Sequence, residues 1–122
     1  MIMDKKTVLV VDDEAEILEA LVFSLKKYFR VLKASNGKEA CDLMRVWEID
    51  CLVTDADMPE INGIKLLEMM QAASYSSKAI VVTGNYSEET KKSFKAMGVS
   101  DFFFKPFSGR DLRERIEALI GE

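Results

Sequence analysis

The residues at which the short apolar runs of this sequence end are of types that suit phosphoryl chemistry. They are acidic side chains, a hydroxyl and an ammonium: Asp12, Asp13, Glu14, Asp55, Thr83 and Lys105. At close range, the carboxylates of Asp12, Asp13 and Asp55 would repel one another unless a hard divalent cation or the Lys105 ammonium neutralised them. Mg²⁺ prefers one or two carboxylates together with phosphate oxygens. The pattern therefore predicts an Mg²⁺ site that brings a phosphoryl group to a carboxylate.

Three of these residues can be given distinct roles in that chemistry. Asp55, which ends the run expected at the centre of the sheet, would be the nucleophile. Thr83 would donate its hydroxyl to one phosphoryl oxygen, and Lys105 would bind another and screen the developing charge. Taken singly, such residues are often a helix N-terminal acid, a turn residue, a strand residue or a solvated charge. Those explanations do not account for their shared position at run ends, so we favour a common site.

Residue counts exclude several other kinds of chemistry. The chain has 122 residues and no histidine, which excludes Ser-His-Asp, Cys-His and HExxH sites within it. A formal charge of -4 without a basic cluster argues against direct binding to nucleic acid or to a membrane. Cys41 and Cys51 lack CxxC spacing, which argues against a zinc site or a disulfide scaffold. Since no apolar run suits a membrane span or a signal peptide, we expect one cytoplasmic domain over residues 1–122.

Apolar periodicity predicts strands and helices that alternate along the chain. Continuous apolar runs predict five strands, at 8–11, 31–32, 51–53, 79–82 and 102–104. Helical spacing and capping residues predict helices from about 15 to 28, after Asn36, over 64–70, after Ser87 and after Ser108. In the second helix the residues expected to face inward are Ala40, Leu43, Met44 and Trp47. This alternation implies an α/β, doubly wound parallel sheet with its functional site at the carboxyl ends of the strands.

Four motifs together resemble the receiver domain of two-component response regulators. They are VLVVDDE (8–14), VTDADMPEING (53–63), VVTG (81–84) and GVSDFFFKPF (98–107), and the resemblance extends from Val8 to the last helix. It implies a flavodoxin-like (βα)5 fold with strand order 2-1-3-4-5. It also implies a signalling domain rather than an enzyme, one that catalyses only its own phosphorylation and dephosphorylation.

The same resemblance implies roles for individual residues. Asp55 would be the phosphoacceptor, assisted by Thr83 and Lys105. The Mg²⁺ ligands would be Asp12, Asp13, Asp55 and the backbone carbonyl of Asp57. The phosphoryl donor would be the phosphohistidine of a sensor histidine kinase or of a histidine phosphotransfer protein.

Thr83 and Phe102 are expected to act together as a switch. Phe102 stands where receivers carry an aromatic residue that moves inward when the threonine is drawn to the phosphoryl group. Phe103 should face the opposite side of the sheet, because side chains alternate along a strand. The output surface would comprise the helix after Ser87, the fifth strand and the last helix. An effector or a second copy of the chain would bind there.

Two other classes of protein share parts of this pattern. Asp55-Ala56-Asp57 resembles the DxD of haloacid-dehalogenase-type phosphatases, but those enzymes carry their acidic metal-binding pair late in the chain. Flavodoxin-like modules share the order of elements and bind FMN. However, the acids that follow the first strand would repel a flavin phosphate. A third alternative, a degenerate receiver used only for binding, conflicts with the intact set of acids, Thr83 and Lys105.

Overall fold

Strands and helices alternate along the described part of the chain. The computed structural model describes residues 5–56, 65, 68, 78–84 and 87–121. In chain order the elements are β1 (Thr7–Val11), α1 (Ala15–Leu25), β2 (Arg30–Ala34), α2 (Gly37–Val46), β3 (Cys51–Asp55), β4 (Lys78–Thr83), α3 (Glu88–Ala96), β5 (Asp101–Phe104) and α4 (Gly109–Ile120). Lys65 and Glu68 are also helical, and the rest of the helix predicted over 64–70 lies outside the described residues.

The five strands form one parallel sheet in the order β2-β1-β3-β4-β5. β1 and β3 are buried along their whole length. A strand covered on both faces has no side open to solvent, which explains why these segments are almost continuously apolar. The predicted fold class and strand order are confirmed, and β3 occupies the centre of the sheet.

Two apolar clusters attach the helices to opposite faces of the sheet. On one face, α2 and α3 pack against alternate strand residues, and the contacts include Met44, Phe94, Leu9, Leu52 and Val81. On the other face, α1 and α4 do the same through residues that include Leu25, Ile116, Val10, Val53 and Ile80. Each such buried aliphatic or aromatic side chain contributes about 1.5–3 kcal/mol. Because helices pack on both faces of the sheet, the strands are held in place, and so is the edge of the sheet at which they end.

Three helices begin at the side-chain caps expected from the sequence. The Asn36 side chain accepts a hydrogen bond from the Glu39 N–H at 2.8 Å. The Ser87 hydroxyl accepts one from the Thr90 N–H at 3.1 Å. The hydroxyl of Ser108 accepts one from the Asp111 N–H at 3.2 Å. Each cap satisfies a helix N–H that has no partner within the helix, so it fixes where the preceding loop ends.

The first helix is shorter than its apolar spacing predicts. α1 ends at Leu25 rather than near residue 28, and residues 26–28 form a turn. The N–H groups of Tyr28 and Phe29 both donate to the Leu25 carbonyl, at 2.9 and 3.0 Å. This turn brings Phe29, just before β2, into the same apolar cluster as Leu25. The helix ends early because the chain must turn to bury that ring.

Trp47 does not face inward, and that prediction is wrong. α2 ends at Val46, and Trp47 has an extended backbone with φ -110° and ψ 144°. Its side chain therefore leaves the helical register that keeps Ala40 and Met44 in the core. The residue is exposed instead, and the Arg30 guanidinium carbon lies 5.4 Å from the centroid of its ring. Among the described residues, no helix has the length and apolar character needed to cross a membrane.

Candidate functional site

Four neighbouring strands bring the predicted side chains to the same edge of the sheet. Asp12 directly follows β1, Asp55 ends β3, Thr83 ends β4 and Lys105 directly follows β5. Since these strands are parallel and adjacent, their carboxyl ends lie side by side. The polar groups that terminate separate apolar runs in the sequence are therefore neighbours in space.

Backbone hydrogen bonds beyond the strand ends hold these residues in place. The Asp12 N–H donates to the Ala34 carbonyl at 3.2 Å, and the Lys105 N–H donates to the Thr83 carbonyl at 2.9 Å. The Asp12 carboxylate accepts a further hydrogen bond from the Glu14 N–H at 2.9 Å. The edge is thus an extension of the sheet, which restricts the positions available to the carboxylates.

Asp12, Asp13 and Asp55 form an acidic cluster. One ligand oxygen from each carboxylate lies within 4.8 Å of the others. Asp12 and Asp55 are buried, at 1% and 8% exposure, whereas Asp13 is exposed. Hard oxygen donors that face a solvent-accessible side suit Mg²⁺, which binds through one or two carboxylates and retains several waters. The donor set therefore fits the cation expected from the sequence.

The electrostatics of Asp55 also favour a bound cation. Burial, followed by the charge of Asp12, raises the pKa of the Asp55 carboxyl from 3.8 to about 6. The charge of Asp13 acts in the same direction, and the Lys105 ammonium only partly opposes the rise. The anionic form of Asp55 is thus less favourable in the metal-free protein than in a free aspartate, and a dication among the three oxygens would remove much of that cost.

The Lys105 ammonium lies among three carboxylates. Its Nζ is 3.2 Å from Asp12 Oδ2, 3.5 Å from Asp55 Oδ1 and 3.5 Å from Glu14 Oε1. Burial lowers the pKa of Lys105, but the hydrogen bond to Asp12 and the nearby negative charges raise it by more, so it is raised overall. The Lys105 ammonium therefore keeps its positive charge beside Asp55.

The contact between Glu14 and Lys105 was not predicted from the sequence. Glu14 occupies the N-cap position of α1, where its side chain makes no capping hydrogen bond. Glutamate is not among the residues favoured at an N-cap position. This was the one feature of the sequence that indicated a contact for the Glu14 side chain other than capping.

Thr83 and Phe102 lie on the same face of the sheet. In the register of β4 and β5, Val81 is opposite Phe102 and Thr83 is opposite Phe104. The Phe102 ring packs edge-on against Phe94 of α3, with 5.9 Å between the ring centroids. Thr83 is buried at the end of β4. A displacement of the Thr83 side chain would therefore occur on the face of the sheet that α3 covers.

Phe103 packs on the opposite face, as the alternation of side chains predicts. Its ring lies edge-on to Phe107, with 5.8 Å between centroids. Beside Phe102, an open groove of about 300 Å³ is lined by Lys91, Lys95, Val99, Ser100, Asp101, Phe102 and Phe104. Asp57, the predicted backbone ligand, lies outside the described residues.

Comparison with known sequences identifies relatives over nearly the whole chain. The model of the response regulator receiver domain family matches residues 8–117. The alkaline phosphatase synthesis transcriptional regulatory protein PhoP of Bacillus subtilis (strain 168) is 30% identical over 119 residues, which are 97% of this chain and 49% of PhoP. The cell cycle transcriptional regulator CtrA of Caulobacter vibrioides is 26% identical over 114 residues, 93% of this chain and 49% of CtrA. The chain spans about half the length of these relatives.

Solved receiver domains have the same fold. The receiver domain of the Francisella response regulator 1452 superposes with a TM-score of 0.87 at 29% identity, covering 94% of this chain and 96% of that one. A CheY-like response regulator receiver domain protein from Methanospirillum hungatei JF-1 gives a TM-score of 0.89 at 28% identity, covering 94% and 93%.

None of these comparisons favours the phosphatase or the flavodoxin alternative. Receiver domains generally bind Mg²⁺ at an acidic pocket and interact with histidine kinases or phosphotransfer proteins, and this chain carries an acidic cluster at the carboxyl edge of its sheet. The chain belongs to the receiver-domain family of response regulators, the phosphorylation-dependent signalling domains of two-component systems.

Proposed function

We propose that this receiver accepts a phosphoryl group on the Asp55 carboxylate. The Mg²⁺ that assists the transfer would be held by Asp12, Asp13, Asp55 and the backbone carbonyl of Asp57. The observation that supports this most strongly is the position of Asp55 at the end of the central strand. There it shares a 4.8 Å cluster with two other aspartates, and the Lys105 ammonium lies 3.5 Å from its Oδ1. A carboxylate between a cation site and a fixed ammonium suits attack on an anionic phosphoryl group.

The transfer breaks one bond and forms one bond. A carboxylate oxygen of Asp55 attacks the phosphorus of a phosphohistidine, and the imidazole leaves with the electron pair of the P–N bond. The Lys105 ammonium binds one phosphoryl oxygen, and the Thr83 hydroxyl donates a hydrogen bond to another. Mg²⁺, when bound, neutralises charge on the phosphoryl oxygens. Later attack by water on phosphorus releases phosphate and restores Asp55.

The donor imidazole belongs to another protein or domain, because the chain has no histidine. A sensor histidine kinase or a histidine phosphotransfer protein would supply it. We infer that residues 1–122 act as a single cytoplasmic domain with no turnover beyond its own phosphorylation and dephosphorylation.

Phosphorylation is proposed to alter the surface formed by α3, β5 and α4. Movement of Thr83 toward the phosphoryl group would open space for Phe102, which packs on the same face of the sheet. A change at Phe102 would then alter the groove that it lines with Lys91 and Lys95. An effector or a second copy of the chain would respond to that change.

The test is intact-mass measurement after incubation with Mg²⁺ and acetyl phosphate, a small phosphodonor. The wild type should gain one phosphoryl group, whereas Asp55→Asn should gain none because the amide is not a nucleophile for phosphorus. Chelation of Mg²⁺ should also prevent the gain. An unmodified wild type, or equal labelling of the variant, would overturn the assignment.

A further inference from the structure

Glu14 contributes negative charge to the site from outside the cluster of metal-binding oxygens. Its Oε1 lies 3.5 Å from Lys105 Nζ, and its side chain is 63% exposed. Among the described residues, the acidic group whose geometry suits a metal comprises Asp12, Asp13 and Asp55, without Glu14. Glu14 thus faces the ammonium of the site rather than the proposed metal position.

Lys105 contacts the same carboxylates that the metal needs. Its ammonium lies 3.2 Å from Asp12 and 3.5 Å from Asp55. An ammonium and a dication compete for such oxygens, since each is stabilised by the same negative charge and each repels the other. For Mg²⁺ to bind, Lys105 must weaken its hold on Asp12 and on Asp55.

We propose that Glu14 is a positioning residue for Lys105, and that it holds the ammonium when Mg²⁺ takes the two buried aspartates. The inference rests on the proposed function, because it concerns the same Mg²⁺ site. Glu14 is suited to this role because its exposed carboxylate is within ion-pair distance of Lys105 and is not engaged in capping α1. Lys105 then stays at the edge of the pocket, near the oxygens of a phosphoryl group on Asp55.

This role predicts a defined effect of Glu14 on the affinity for Mg²⁺. Without the Glu14 charge, Lys105 pairs more strongly with Asp12 and Asp55, and Mg²⁺ must displace it from them. Partly exposed ion pairs of this kind stabilise weakly, so Glu14→Gln should weaken Mg²⁺ binding by roughly two- to fivefold at low ionic strength. The loss should shrink as salt is added.

The test is calorimetric titration of the metal-free protein with MgCl₂. Glu16→Gln is the matched control, since Glu16 is an exposed acid in the first turn of α1, two residues further along. It removes the same charge nearby, and we expect it to change the affinity less than Glu14→Gln does. The second arm repeats Glu14→Gln in a Lys105→Gln background. There its effect should fall to that of the Glu16 control, because no ammonium remains to be held.

Equal affinities of the wild type and Glu14→Gln would overturn the proposal, as would an undiminished effect of Glu14→Gln in the Lys105→Gln background. The second result would mean that Glu14 acts directly on the cation rather than through Lys105. A wild type that binds no Mg²⁺ would contradict the metal site itself and this role with it. By contrast, a wild type that binds Mg²⁺ while Glu14→Gln binds it equally would overturn only the role of Glu14.

Discussion

At the scale of single residues, the site concentrates negative charge that the unliganded protein can only partly balance. Asp55 and Asp12 are both buried at the same edge, and the Lys105 ammonium contacts both. The sequence allowed these residues to be selected, because each stands where an apolar run ends. It could not predict that Glu14 reaches Lys105, because that contact depends on the side-chain direction at the start of α1.

The raised pKa of Asp55 predicts a pH-dependent stability of the metal-free protein. The folded state holds the Asp55 proton more tightly than the unfolded state does, since the pKa rises from 3.8 to about 6 on folding. The stability that this proton contributes is therefore complete below pH 3.8 and is lost as the pH rises through about 6. The full shift corresponds to about 3 kcal/mol.

Asp55→Asn should remove this loss, because the amide carries no charge. With EDTA present, chemical denaturation should show the variant gaining up to about 3 kcal/mol over the wild type between pH 4 and pH 7. Adding Mg²⁺ at pH 7 should reduce the gain, because the metal stabilises the wild-type carboxylate. A stability difference that is constant across this pH range would contradict the electrostatic account of Asp55.

At the scale of elements, the register of parallel strands determines which residues can move together. Thr83 and Phe102 are in different strands, and the pairing of β4 with β5 puts them on the face that α3 covers. The alternation of Phe102 and Phe103 was predicted from the sequence, because a strand has a period of two residues. The end of α1 and the outward position of Trp47 were not, because burial of Phe29 and the extended backbone at Trp47 override the helical spacing.

Phe102 is predicted to couple phosphorylation to the surface formed by α3, β5 and α4. Phe102→Leu should leave acetyl phosphate labelling intact but reduce the phosphorylation-induced changes in NMR amide shifts over α3 and β5. The matched control is Phe103→Leu, since each substitution removes one edge-on aromatic contact, worth about 0.5–1.5 kcal/mol. The two variants should lose similar stability. Equal reductions in the shift changes, or no reduction with Phe102→Leu, would exclude a specific role for Phe102.

At the scale of the whole molecule, the proposal is that the chain supplies the aspartate half of a two-part exchange. It contains no histidine, so a phosphohistidine donor must lie in another protein or domain. Its acidity has a local component, because part of the formal charge of -4 lies in the cluster at the carboxyl edge of the sheet. The fold class and strand order could be predicted because alternating apolar runs and helices permit few arrangements. The partner could not be predicted, because the sequence of this chain does not identify the molecules that bind its output surface.

The most direct test of the central claim is chemical identification of the phosphorylated residue. Borohydride reduces an acyl phosphate on aspartate to homoserine, and peptide mass spectrometry then locates it. After treatment with acetyl phosphate and Mg²⁺, homoserine should be found at position 55, and it should be absent when Mg²⁺ is chelated. Homoserine at Asp12 or Asp13 instead, or at no position in a protein that has gained a phosphoryl group, would contradict the assignment of Asp55 as phosphoacceptor.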